Sequence, residues 1–159
     1  MPEPRSLQEL IDRLCVRDQH GALVGLAQGL VPGQTGPADA VAAIVWATPD
    51  LARTIASVAA PFAPAERDRI LEGAVVSVRL GGVVLLVEQP DLEAGLAVYL
   101  SRHGEGVAAF YLERPRFVPQ PNPSGRPPRP NRTPLGRRGW MLPQEWPWGP
   151  FVLALEERR

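Results

Sequence analysis

Residues 73–113, GAVVSVRLGGVVLLVEQPDLEAGLAVYLSRHGEGVAAFYLE, constrain the fold more than any other stretch of this chain. Two β-branched and aliphatic runs, Val75 to Leu80 and Val83 to Glu88, flank Gly81-Gly82. A glycine pair between such runs predicts a tight hairpin, because glycine accepts φ > 0 at little steric cost. After Pro90 the period changes: Leu92, Leu96, Tyr99 and Leu100 fall at helical spacing, with Asp91 in an N-cap position, so a helix is expected over Asp91 to His103. Gly104 and Gly106 end it, and Val107 to Leu112 reads as a further strand.

Upstream, Ser6 with Glu9 three residues later forms a capping-box pattern, and Leu7, Leu10, Ile11 and Leu14 give one apolar stripe. A first helix is expected to about Arg17. Asp18 to Leu30 can continue as helix or run as a glycine-rich loop, since Gly21, Gly25 and Gly29 each cost about 1 kcal/mol relative to alanine in a helix. Val31 to Ala38, with two prolines and two glycines, is a turn or linker. Ala40 to Ala47 is continuously apolar, the pattern of a strand buried on both faces. Leu51, Ile55, Val58 and Ala59 then predict a helix ended by Pro61, and a shorter helical piece is expected over Pro64 to Leu71, with Glu66 to Arg69 on a solvated face. The strand, Thr48-Pro49-Asp50, helix order returns at Gln89-Pro90-Asp91, which suggests two copies of one α+β unit.

The composition shifts between Glu113 and Gly139, where eight prolines and seven arginines stand against one acid. With little to bury, this segment should be an extended surface loop of polyproline character. Trp140 to Leu142 and Phe151 to Leu155 return as strands, with Trp146 and Trp148 in the turn between them.

Charge and cysteine content exclude several roles. Seventeen basic residues balance seventeen acidic ones, so no global field attracts nucleic acid or an anionic membrane. All seventeen are arginine, which suits carboxylate or phosphate recognition but equally reflects the codon usage of a GC-rich genome. Cys15, the sole cysteine, rules out an internal disulfide and reads as a buried small apolar residue. No apolar run approaches the ~20 residues of a membrane span, and Met1 to Arg17 is too charged for a signal peptide, so the cytoplasm is the expected location. There is no nucleophile triad, CxxC pair, Walker loop or dinucleotide fingerprint, and no cofactor is expected.

Three segments in this order and spacing, Ala43 to Leu51 (AIVWATPDL), Arg79 to Pro90 (RLGGVVLLVEQP) and Tyr99 to Leu112 (YLSRHGEGVAAFYL), resemble the vicinal-oxygen-chelate superfamily, which includes glyoxalase I, methylmalonyl-CoA epimerase, extradiol dioxygenases and bleomycin-resistance proteins. The likeness covers roughly residues 40–113, with a looser continuation over residues 148–157. It implies an α+β fold of paired βαβββ modules whose mixed sheet curls around a cavity. The chain then divides into an N-terminal helical extension, residues 1–38, and a glyoxalase-like body, residues 39–159, carrying the Pro/Arg-rich loop at 114–139.

Metal-using members of that superfamily bring four ligands to one divalent ion. Carried over by position, those places are Ala43, Leu86, Ala109 and Ala154, none of which offers a lone pair, so no metal is expected. If the family register holds, Ala43, Val45, Val84, Leu86, Glu88, Ala109, Tyr111, Val152 and Ala154 face one side. Such a wall either packs a filled core or lines a site for a small hydrophobic or aromatic ligand, with Ala43, Val45, Leu86, Glu88, Ala109 and Tyr111 as contacts and Trp146 and Trp148 as an aromatic clamp. Trp140 belongs to the same tryptophan group, whereas Trp46 should point away from the cavity, toward the helix of its own module. Glu88, Tyr111 and His103 are the candidates for acid-base work, though His103 also suits a helix C-terminal cap. The leading expectation is a metal-free small-molecule binder, with a homodimer plausible from the resemblance. An acid-base isomerase or lyase of the same fold, and an interaction scaffold using the Pro/Arg arm and the tryptophans, are the alternatives.

Overall fold

The computed structural model describes residues 2–144 and 149–158, so Trp146 and Trp148 lie outside the described residues. Four helices, α1 (Leu7–Leu14), α2 (Gln19–Leu30), α3 (Leu51–Ala56) and α4 (Gly95–His103), accompany eight strands. These are β1 (Ala40–Ala47), β2 (Ala63–Pro64), β3 (Gly73–Leu80), β4 (Val83–Pro90), β5 (Gly106–Glu113), β6 (Asn131–Arg132), β7 (Arg138–Met141) and β8 (Phe151–Leu155).

All eight strands form one curled mixed sheet in the order β2-β3-β4-β1-β5-β8-β7-β6. The order is a mirrored repeat: β1 pairs parallel with β4 and β5 pairs parallel with β8, while β1 and β5 meet antiparallel at the centre. Two modules therefore share one sheet, as the resemblance implies. The β3–β4 hairpin pairs Leu80 with Val83 and Gly73 with Pro90, with Gly81 at φ 62° in its turn.

The modules diverge after their first strand. β1 leads through the Asp50 cap, whose carboxylate accepts from the Arg53 amide at 3.1 Å, into α3. β5 leads into an arm without helix, exposed along most of its length. On the helix-bearing face of the sheet, α1 and α2 join the same apolar cluster as Ile44, Trp46, Phe110, Leu112, Val152 and Ala154. The N-terminal helices thus cover sheet that would otherwise face water, and each fully buried aliphatic or aromatic side chain contributes about 1.5–3 kcal/mol.

Local chemistry corrects several boundaries. α1 stops at Leu14, three residues before the expected end, and Cys15 becomes an exposed C-cap rather than a core residue. α2 forms despite its glycines because Asp18 caps it, accepting from the Gly21 amide at 2.9 Å. A β-carbon at Gly21 would stand 2.2 Å from that carboxylate, so a larger residue there would have to displace the capping side chain. Pro64 to Leu71 is not helical: Ala63 and Pro64 pair with β3, and the rest is a turn organised by Asp68. α4 begins at Gly95, four residues later than expected. Asp91 forms an ion pair with Arg67 instead of capping, and Leu92 is 97% exposed.

The Pro/Arg-rich arm lies against the body. The Trp140 indole N–H donates to the Pro128 carbonyl at 3.0 Å and the ring packs on Phe117, while Arg132 pairs with Glu66.

Candidate functional site

The concave face is set by the strand registers. Val45 lies between Leu86 on β4 and Ala109 on β5, and Ala43 lies between Val84 and Tyr111, so their side chains share one face. They form a second apolar cluster with Leu71, Leu96, Tyr99, Phe151, Leu153 and Leu155. Trp46 faces the opposite, helix-covered side by the ordinary alternation of β1 and shares a cluster there with Leu51 and Ile55 of α3. A β-bulge that leaves Ala108 and Ala109 both in the concave cluster brings Val107 to that same side.

Three of the four corner positions, Ala43, Leu86 and Ala109, converge as the resemblance implies. The fourth does not. Ala154 pairs with Leu112, and Val152 with Phe110, on the helix-covered face. Leu153, paired with Tyr111, is the β8 residue that faces inward. The correction is one residue of register, which reverses the face of every side chain on a strand. Substituting Leu153 for Ala154 leaves the donor set unchanged in kind: none of the four positions carries a nitrogen, oxygen or sulfur atom in its side chain. Among the described residues no group of three or more His, Cys, Asp or Glu side chains gathers anywhere. These four side chains offer a divalent ion no ligand.

Polar chemistry on this face is concentrated in three side chains with no accessible surface, Glu88, Asp68 and Tyr111. The Tyr111 hydroxyl donates to Asp68 Oδ2, while Asp68 Oδ1 accepts from the amides of Ile70 and Leu71, both at 2.9 Å. Glu88 receives no hydrogen bond from any donor on either oxygen. Its polar neighbour is the Asp68 carboxyl, also an acceptor when ionised, so a bond between them closes only when one holds a proton. Burial first, then the charge of Asp68 and hydrogen bonding to it, push the Glu88 carboxyl well above the usual carboxylate range, against the weaker pull of Arg67. Burial therefore favours the neutral form of Glu88. Tyr111 is likewise pushed up, by burial and then by the charges of Asp68 and Glu88, and acts as a donor. Gly73 lets this happen: a β-carbon there would come within 2.7 Å of Glu88 Cγ and 2.8 Å of the Gln89 carbonyl.

Glu88 and Tyr111, both named from the sequence, are thus brought together, but through Asp68, which sequence reasoning placed on a solvated charged face. A signal existed. An aspartate three residues before Leu71 and five before Gly73 suits a turn in which the carboxylate gathers the next amides along the chain. His103 stays outside the group. It is exposed at the end of α4, with its ring 4.5 Å from that of Tyr99, and Gly104 at φ 75° supplies the helix end.

The centre of the concave face is filled: Ala43, Val45, Ala109 and Tyr111 have no accessible surface and Leu86 has 1%. Open volume adjoins it at one end of the sheet, where the start of β1, the β3–β4 turn and the end of β5 surround a cavity of about 180 Å³. Ala42, Val84 and Leu135 form its apolar wall, and all three pack against the concave cluster. Arg79, Arg137 and Glu113 stand at its rim.

No protein-family model matches the chain, and no curated protein sequence matches it. Solved structures do. A hypothetical protein of Bacillus halodurans C-125 superimposes with a TM-score of 0.56 at 13% identity, over 76% of this chain and 96% of the other. A variant of Streptomyces coelicolor methylmalonyl-CoA epimerase holding 2-nitronate-propionyl-CoA gives 0.53 at 17% identity, over 72% and 94%. A methylmalonyl-CoA epimerase with methylmalonyl-CoA and NH4+ gives 0.53 at 17%, over 72% and 92%. This chain has the vicinal-oxygen-chelate fold. At these identities the likeness is one of architecture.

Proposed function

We propose that the protein binds a small hydrophobic or aromatic molecule without a metal ion, at the open end of its concave face. The observation that supports this most is that a cavity walled on one side by Ala42, Val84 and Leu135 adjoins a concave wall whose four corner side chains are all hydrocarbon. A cavity of about 150 Å³ lined by apolar side chains is enough to hold benzene, and the volume here is slightly larger. A larger ligand would have to displace the turn carrying Asp68 and Leu71, which packs over the centre. Ala42→Phe places a ring in the cavity from a half-buried position and tests the reading. In a thermal-shift series with benzene-sized compounds in the presence of a chelator, the wild-type chain should be stabilised and the variant should not. Equal responses from both proteins would remove the cavity from consideration.

A second reading, acid-base catalysis, is favoured by one observation: Glu88 is buried beside the Asp68–Tyr111 pair with no hydrogen-bond partner of its own. A carboxyl that burial pushes well above the usual carboxylate range suits a general acid. With no accessible surface on any of the three, substrate would reach them only after the Asp68 turn opens. Glu88→Gln separates the readings, since it abolishes turnover if Glu88 moves a proton and leaves cavity binding within a few-fold if it does not.

A further inference from the structure

The rim of the open-end cavity carries a charge pattern that its apolar wall does not require. Arg79, Arg137 and Arg158 all line it, with Glu113 as the only acid. Arg137 is committed: one guanidinium nitrogen pairs with Glu113 and the other donates to the Glu156 carbonyl at 2.7 Å, which fixes the side chain along the wall. Its Nε is buried and has no partner. The Arg79 and Arg158 side chains are exposed and form no ion pair or hydrogen bond among the described residues. One acid therefore offsets one of three cations, and two uncommitted guanidinium groups flank an opening floored by Ala42, Val84 and Leu135.

We infer that the ligand of this cavity is a small organic monoacid, its apolar body against Ala42, Val84 and Leu135 and its carboxylate between Arg79 and Arg158. The inference rests on the binding reading above and adds the class of ligand. Guanidinium groups match a carboxylate as paired planar donors, so the rim selects for the anion while the wall selects for the body. Arg137 acts as a fixed positive wall that discourages cations and needs no rearrangement when the acid arrives. The volume excludes a nucleotide or a bulky phosphate ester as the buried part, because a cavity of about 180 Å³ accepts a body near the size of benzene.

The test is calorimetric titration of the full chain with benzoate, benzyl alcohol and inorganic phosphate, at low and high salt. The doubly substituted variant carrying Arg79→Gln and Arg158→Gln, and Ala42→Phe, are titrated in parallel. Both arginines are exposed, so the double variant should keep the fold, as circular dichroism will check. Benzoate is expected to bind at least tenfold more tightly than benzyl alcohol or phosphate, and to weaken as salt rises. The double variant should lose at least tenfold for benzoate and retain its weak affinity for benzyl alcohol, and Ala42→Phe should lose both ligands. Equal affinity for benzoate and benzyl alcohol, or undiminished benzoate binding by the double variant, would overturn the monoacid assignment while sparing the cavity. Phosphate binding as tightly as benzoate would also overturn it, by showing a bare anion site. Failure of every probe to bind wild type would sink the cavity reading together with the assignment.

Discussion

The two faces of the central sheet are built from different materials. Against the helices stand Ile44, Trp46, Leu85, Phe110 and Leu112, bulky hydrocarbons that mesh with the α1, α2 and α3 side chains. On the concave side the same strands present Ala43, Val45, Ala47 and Ala109, with Glu88, Asp68 and Tyr111 set among them. The first face is bulky and, the Trp46 indole N–H apart, apolar, which suits stability. The second carries small residues on β1 and at Ala109, with Leu86, Phe151 and Leu153 beside them, holds three buried polar groups and adjoins a cavity. Small residues on adjacent strands leave space above them, and here the space is taken by the Asp68–Leu71 turn and the Tyr111 ring.

The difference can be broken most forcefully at Trp46. Replacing it by alanine empties the largest buried side chain of the helix-covered face and should cost about 3–5 kcal/mol in chemical unfolding. Trp46→Phe should cost far less, because the indole N–H has no hydrogen-bond partner to lose. On the concave face Tyr111→Phe deletes only a hydroxyl, yet it strips Asp68 Oδ2 of its donor in a site without water access. A loss of about 1–3 kcal/mol is expected.

Glu88→Gln should act in the opposite direction. The folded chain keeps the Glu88 proton at pH values where an unfolded chain, with its ordinary value of 4.5, has released it. The folded state then binds more protons, so this group's contribution is whole below pH 4.5 and is lost as pH rises toward the elevated folded value. Glutamine is neutral at every pH and its amide can donate to Asp68. Denaturant midpoints measured from about pH 4 to 9 should therefore fall with pH in wild type and fall less steeply in the variant. The variant should be the more stable by about 1–2 kcal/mol at neutral pH. A steeper slope in the variant would contradict the upward shift at Glu88. The smallest effect is expected at Arg67. Its pair with Asp91 is half-exposed on both sides, so Arg67→Ala should move stability by less than about 1 kcal/mol, in an amount that shrinks with salt.

Much of this architecture was legible because it depends on local pattern. The glycine pair at Gly81-Gly82, the unbroken apolar run of β1 and the order of segments through Leu112 specified the hairpin, the buried centre and the paired modules. The concave residues from Ala43 to Tyr111 came from period 2. The features that were not legible depend on contacts between distant parts of the chain. Asp68 is buried because Tyr111, 43 residues away, meets it, and no local pattern distinguishes it from the charged neighbours Arg67 and Arg69. Ala154 falls on the opposite face from the one expected because nothing within FVLAL fixes its register against β5. Asp91 has the sequence position of a cap for α4, by analogy with Asp50, but Arg67 binds it and α4 starts at Gly95 with no side-chain cap. The arginines at the cavity rim are far apart in sequence, and only the curl of the sheet assembles them.

The proposed ligand binding depends on a metal-independent site at the end of the concave face. Amide chemical-shift mapping with benzoate, recorded in excess chelator and again with added Mg2+ and Zn2+, examines it directly. The expected result is a set of saturable shifts centred on Ala42, Val84 and Leu135 that are already complete in chelator and unchanged by either cation. Shifts confined to other parts of the chain, or arising only after a divalent ion is supplied, would contradict it.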